Sequence, residues 1–242
     1  MPYPTQIISV ITVVYNGAAT LEETIQSVLG QSWPNVEYII IDGNSIDGTQ
    51  AIIEKYKPQL AYYISEKDKG IYDAMNKGLA KAKGDYCIFM GADDVLLPNV
   101  LEQIVPLLKD KDTVYYGDII VKGTERRYDG AFSKFKLCFK NICHQCIFYP
   151  RSAYSKLNYD LQYRLWADWV YNIILWGERK VPYVYIGRDI SIFNDGGVGS
   201  LSRDKVFDAN RKLLIQQHFG SFMNSVVSLK NLLSKVKAKL IR

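Results

Sequence analysis

The sequence has no uninterrupted apolar run of about 18 residues, the length a transmembrane helix requires, so no membrane span is expected. Met1 to Gln6 lacks the charged segment and apolar core of a secretory signal, and a cytoplasmic address is the expectation. Four cysteines are too few to staple 242 residues, and in that compartment they would be thiols. No G-x-x-x-x-G-K-[ST] occurs, which excludes a P-loop. The first strand is followed by Tyr15-Asn16-Gly17-Ala18 rather than G-x-G-x-x-G, which argues against a dinucleotide-binding Rossmann domain. Acids are missing from Ser221 onward, where five basic residues stand alone. Elsewhere the charges balance at 25 against 25, so the net charge of +5 belongs to the tail. The body is not a polyanion binder, and no nucleic-acid partner is expected.

What is present is a globular composition, 48% apolar and 23% charged, with a regular first half. Ile7 to Val14 reads as a buried strand. Leu21, Ile25, Val28 and Leu29 recur at helical spacing. Strands are expected at Val36 to Ile41, Ala61 to Ile64 and Tyr86 to Met90. Helices follow each, opening near Asp47, Ile71 and Pro98; the second ends toward Gly84, a candidate C′ residue, and the third runs through Leu108. This β-α-β order implies a mostly parallel sheet with right-handed crossovers. After about residue 112 the pattern loosens. Short strands are expected at 114–116, 119–121, 126–128, 146–149, 181–186 and 190–193. A helix spans Leu165 to Trp176, a glycine-rich loop covers 195–200, and two helices occupy about 203–219 and 222–241.

In an open parallel sheet, ligands sit beyond the carboxyl ends of the strands. Asp42, Asp68, Asp93 and Asp94 all fall there. Packed like charges cost energy unless a cation or donors compensate. Oxygen-only ligands favour Mg²⁺ or Mn²⁺, and such an ion accepts a diphosphate. Asp47 instead precedes a helix and reads as its cap.

The blocks Ser9–Asn16, Ile41–Thr49, Ser65–Gly78 and Gly84–Asp94 resemble, in order and spacing, those of glycosyltransferase family 2. The resemblance implies a GT-A fold and inverting transfer from a nucleotide-sugar, a UDP-sugar being the first expectation and GDP- and dTDP-sugars the alternatives. By position, Val13, Tyr15, Asp42, Asp68 and Asp93 would bind the nucleotide and Asp94 the metal, Mn²⁺ or Mg²⁺. Ala92 replaces the first acid of a strict D-x-D motif. Residues 1–200 would form the catalytic domain, with a nucleotide-sugar half at 1–112 and an acceptor half at 113–200; residues 201–242 would be C-terminal helices.

Inverting transfer needs a base on the acceptor side. The family places an acid at the start of a helix there, which matches Asp168; Asp160 and Glu178 are fallbacks. Cys143-His144-Gln145-Cys146 lacks the second spaced pair of a structural zinc site. The resemblance favours an acceptor-side role for His144 and Gln145. Arg188 and Arg203 flank the glycine-rich loop, where they could meet phosphates. On the last helix Phe222, Val226, Leu229, Leu232, Leu233, Val236 and Leu240 share one face, flanked by lysines, a pattern suited to an anionic membrane surface, with packing on the body or on a second subunit as the alternatives. The expected acceptor is a glycan, in the sharper form lipid-linked, in bacterial polysaccharide synthesis by a peripheral enzyme on the inner face of the cell membrane. A sugar nucleotidyltransferase and a non-catalytic nucleotide-sugar-binding scaffold are the alternatives.

Overall fold

The computed structural model describes residues 5–124, 126–194 and 203–240, with side chains to Lys230. The strands β1 (Ile8–Val14), β2 (Val36–Asp42), β3 (Tyr62–Ser65) and β4 (Tyr86–Gly91) alternate with helices α1 (Leu21–Leu29), α2 (Thr49–Tyr56) and α3 (Ile71–Lys81). β1 is buried along its whole length, between parallel β2 and parallel β4, which is why it reads as an unbroken β-branched run. The sheet continues through β8 (Ile147–Pro150), β6 (Val114–Val121), β9 (Tyr183–Phe193) and β5 (Val95–Leu96), with β7 (Arg127–Tyr128) on β6. β8 runs antiparallel to both β4 and β6 and joins the two halves into one sheet.

α3 lies close on β1 and β2. A Cβ at Gly78 would fall 2.4 Å from Ile11 Cγ2, so glycine permits that approach. Gly84 is not the helix cap: the chain leaves the helix at Ala82 in extended conformation. A Cβ at Gly84 would meet Ser9 Oγ at 2.6 Å, and Gly84 N donates to that hydroxyl.

Two segments that read as pairs of short strands are single strands. β6 and β9 run parallel, with a register shift between Tyr116↔Tyr185 and Asp118↔Asp189. The irregularity sits at Gly117, where a Cβ would lie 2.2 Å from the Arg188 carbonyl, and at Gly187, with φ +61°. The Gly187-Arg188-Asp189 step that resembles a strand end is therefore a bulge. The helix expected from Pro98 to Leu108 is shorter, α4 at Val100–Ile104; Pro106 falls in a 3₁₀ turn, Val105–Leu107.

The remaining helices are α5 (Lys134–Leu137), α6 (Arg151–Tyr154), α7 (Ala167–Gly177), α8 (Lys205–Phe219) and α9 (Ser221–Leu240). Asp204 caps α8 through Val206 N and Phe207 N and also accepts from Leu165 N, which ties α8 to the start of α7. α9 packs on the body through Val227, against Cys138 and Ile215. Phe222 and Leu229, from the face expected to be apolar, stay exposed. The side chains of Leu232, Leu233, Val236 and Leu240, and the loop 195–200, lie outside those described. Among the described residues no helix is long and apolar enough to cross a membrane.

Candidate active site

A cleft of about 880 Å³ opens where β1 and β4 end, between those strand ends and the segment from Phe139 to Trp169. Its first wall comes from main chain that has just left the parallel sheet. Asn16 adopts φ +51°, a left-handed conformation that asparagine tolerates well. Its side chain accepts from Ile46 N, and its own N–H donates to Ser45 Oγ. These bonds lock the end of β1 to the loop after β2 and present Val13 and Tyr15 to the cleft. Asp68 lies over Gly43, whose absent Cβ would be 2.5 Å from Asp68 Oδ2. Asp68 also receives Gly70 N, which opens α3.

Asp42 does not reach the cleft. It is fully buried, and its carboxylate accepts from Ser45 N, Ser45 Oγ and Ser65 Oγ. Asp42 fastens the ends of β2 and β3 through these bonds.

Asp93 and Asp94 turn back over Gly91. A Cβ on Gly91 would lie 2.7 Å from Asp94 Oδ2 and 3.1 Å from Asp93 Oδ1, so the missing side chain makes room for both carboxylates. Asp94 is 1% exposed. It accepts from Gly91 N at 2.9 Å and Gln145 Nε2 at 3.0 Å, and Thr24 Oγ1 holds its carbonyl. Asn194 Nδ2 donates to Asp93. Burial, and then the neighbouring Asp93 charge, push the Asp94 carboxyl above the usual carboxylate range. This is a like-charge pair short of positive compensation. Among the described residues no group of three or more His, Cys, Asp or Glu gathers for a metal. The pair nevertheless fits a Mg²⁺- or Mn²⁺-type ion, which uses one or two carboxylates and takes its other oxygens from phosphate and water.

The second wall is assembled from distant segments. Asp168, 8% exposed in the first turn of α7, accepts from Tyr72 OH at 2.8 Å, Asn141 Nδ2 at 2.8 Å, Trp169 N at 2.9 Å and His144 Nδ1 at 3.3 Å. Asn141 is held in turn by Asn172 Nδ2, and Asn172 Oδ1 takes the hydroxyls of Tyr149 and Tyr183. Gln145 is buried; its carbonyl accepts from Ser191 Oγ and its amide reaches Asp94. The consecutive residues His144 and Gln145 thus touch the aspartates of opposite walls, Asp168 and Asp94. No local pattern pointed to Asn141, Asn172 or Arg164, which also lines the cleft, and Tyr72 stood inside a recognised block without a role. Asp160 is exposed and bonds Gln162, while Glu178 pairs with His218 at the far end of α7; neither lines the cleft. Arg203 is spent on Asp208, and Arg188 is exposed outside the cleft lining.

The family model for glycosyl transferase family 2 matches residues 9–172, a span that includes Asp68, Asp93, Asp94, His144 and Asp168. The chain belongs to glycosyl transferase family 2. Among its family relatives, a PGL/p-HBAD biosynthesis glycosyltransferase of Mycobacterium bovis is 34% identical over 208 residues, covering 82% of this chain and 81% of that one. An uncharacterised glycosyltransferase of Mycobacterium tuberculosis is 36% identical over 203 residues, covering 80% and 77%. Among solved structures, Staphylococcus aureus TarS 1-349 in complex with UDP-GlcNAc superposes with a TM-score of 0.68 at 17% identity, covering 88% of this chain and 67% of that one. The mannosyltransferase PcManGT of Pyrobaculum calidifontis, in complex with GDP-Man and Mn²⁺, gives 0.65 at 17%, covering 92% and 65%. In another TarS structure the chain covers 43% of its counterpart. These glycosyltransferases share the GT-A fold, and so does this chain.

Proposed function

We propose that this family 2 glycosyltransferase moves a sugar, with inversion, from a nucleotide-sugar to a hydroxyl of a glycan acceptor. The observation that carries the reading is the cleft itself: a carboxylate pair short of positive charge on one wall and a carboxylate surrounded by donors on the other, linked through Gln145 on Asp94 and the adjacent His144 on Asp168. Val13, Tyr15, Asp68 and Asp93 would hold the nucleotide. Asp94, with Asp93 beside it, would hold Mn²⁺ or Mg²⁺, which when bound would neutralise the departing diphosphate. Asp168 and His144 would form the pair that receives the acceptor proton, and Trp166 and Trp169 would give the acceptor an aromatic surface. We take a UDP-sugar as the first donor to test, since TarS binds UDP-GlcNAc, with a GDP-sugar second, since PcManGT binds GDP-Man. The relatives named for PGL biosynthesis support a lipid-linked acceptor. Exposed Phe222 and Leu229 on the lysine-bearing α9 support contact with the inner membrane face.

The test is a panel of nucleoside diphosphates and nucleotide-sugars, scored by thermal shift with Mn²⁺, Mg²⁺ or EDTA. A ligand at about a hundredfold its Kd adds about 2.7 kcal/mol. The expected result is a metal-dependent shift with one nucleotide class, and a product of opposite anomeric configuration by NMR. Folded protein that shifts with none of them refutes the donor site; a retained configuration refutes inversion.

A further inference from the structure

Resting on that reading, we propose that Arg164 and Lys69 form a cationic side subsite of the cleft, and that it takes a phosphate group carried by the acceptor. Among the described side chains that line the main cleft, two are lysine or arginine, Lys140 and Arg164. Lys140 is engaged: its Nζ lies 2.8 Å from Asp129 Oδ2 and 3.8 Å from the centre of the Tyr128 ring. Arg164 is not. Asp68, Asp93, Asp94 and Asp168 line the same cleft, yet Arg164 pairs with none of them, nor with any other group among the described residues. Its guanidinium donors are left for a ligand, and their planar fork matches the oxygens of a phosphate.

Arg164 also lines a second hollow of about 150 Å³, together with Lys69, Tyr72, Asp73 and Leu161. The Lys69 ammonium likewise has no partner among the described residues. The acid of this hollow, Asp73, is already engaged: it accepts from Lys69 N at 3.0 Å and stands 3.8 Å from Lys77 Nζ. Two cations thus border a hollow whose carboxylate is shared with a third. The root of Arg164 is fixed as well. Its neighbour Leu165 donates its N–H to Asp204 at 2.9 Å, and the Leu165 carbonyl accepts from Tyr72 OH at 2.8 Å. The same hydroxyl stands 2.8 Å from Asp168 Oδ1. One tyrosine therefore sets where the arginine starts relative to the carboxylate proposed to receive the acceptor proton.

The hollow lies to the acceptor side. Val13, Tyr15, Asp68, Asp93 and Asp94, proposed to hold the nucleotide and its metal, line the main cleft but not this hollow. A phosphate held there would fix which hydroxyl of the acceptor meets Asp168, by its distance from the phosphate along the acceptor. The acceptor class so selected is a phosphate ester rather than a neutral glycan.

The experiment is a calorimetric titration of phenyl phosphate into the protein, first in EDTA and without nucleotide. Saturable binding is expected. Arg164→Gln should weaken it at least about tenfold, the loss expected for hydrogen bonds to a charged group, and Lys69→Gln by less. Neither side chain has a protein partner, so both variants should melt within about 2 °C of the wild type. The titration is then repeated with Mn²⁺ and a saturating nucleoside diphosphate from the panel. Phenyl phosphate should bind as before, and Arg164→Gln should leave the nucleoside diphosphate Kd within about twofold. No binding of phenyl phosphate, or equal binding by Arg164→Gln, overturns the subsite. Displacement by the nucleoside diphosphate, with a matching loss of nucleotide affinity in Arg164→Gln, overturns the acceptor assignment and gives the cation to the donor's diphosphate. If no nucleoside diphosphate binds at all, the donor reading fails, while the titration in EDTA still decides the anion subsite.

Discussion

The two walls of the cleft are built in opposite ways. The wall proposed to take the donor, the donor wall, is made of chain segments that have just left parallel strands: Tyr15 after β1, Asp68 after β3, Asp93 and Asp94 after β4. Its side chains converge because the strands do. The wall proposed to take the acceptor, the acceptor wall, gathers Tyr72, Asn141, His144 and Asp168 by side-chain hydrogen bonds that span up to 96 residues of sequence. Each wall buries a carboxylate, but the two are compensated differently. Asp94 lies beside another acid and is held above its usual range, whereas Asp168 receives donors from four residues. The donor wall thus favours a cation, whereas Asp168 is compensated by protein groups.

The sharpest way to separate the walls is to remove Asp94. Asp94→Ala should lower kcat about a thousandfold, in line with the several kcal/mol that a metal's charge supplies to a transition state. The metal-dependent part of the nucleotide thermal shift should vanish with it. An unchanged metal response would move the metal site elsewhere.

On the acceptor wall the large effect is on stability. Asn172→Leu strands the hydroxyls of Tyr149 and Tyr183 and the Asn141 carbonyl. Unsatisfied buried groups cost about 1–3 kcal/mol each, so a loss of about 3 kcal/mol is expected, read in a urea titration. A loss under about 0.5 kcal/mol would show the chain of amides to be dispensable.

A milder disturbance tests the donor half by packing alone. Gly78→Ala drives a methyl toward Ile11 and Ile41 and should cost about 1–3 kcal/mol by overpacking. The same titration detects it, and donor affinity should weaken together with stability, because α3 begins beside Asp68.

The smallest effect is in pH. The native state holds the Asp94 proton more tightly than the unfolded chain does, so this group favours folding below the ordinary carboxylate range. That advantage is lost as pH rises through its raised value. Thermal melts across acidic to neutral pH should therefore show Asp94→Asn gaining on the wild type as pH increases, whatever constant offset the substitution brings. Curves that run parallel would mean that Asp94 is already compensated without a cation.

The difference between the walls also explains what could be read in advance. Strands β1 to β4, their helices and the aspartates at their ends were legible, because each unit is local and buried strands carry a continuous apolar signature. The bonds that Asp42 makes to Ser45 and Ser65 were not legible, because the same pattern places an acid at a strand end whatever its partners are. The β6–β9 pairing was hidden by Gly117 and Gly187, which resemble breaks in sequence and act as a bulge in space. Asn141 and Asn172 carried no signal, since a buried amide is ordinary until its partners are known.

Sequence alone determined the family, the parallel core and the acids at its carboxyl edge, because these follow from residue order along a regular repeat. Only the tertiary structure decided which acid fastens strand ends, which is left short of charge, and that His144 and Gln145 connect Asp168 to Asp94. Those outcomes depend on hydrogen bonds between residues far apart in the chain, and no local pattern encodes them.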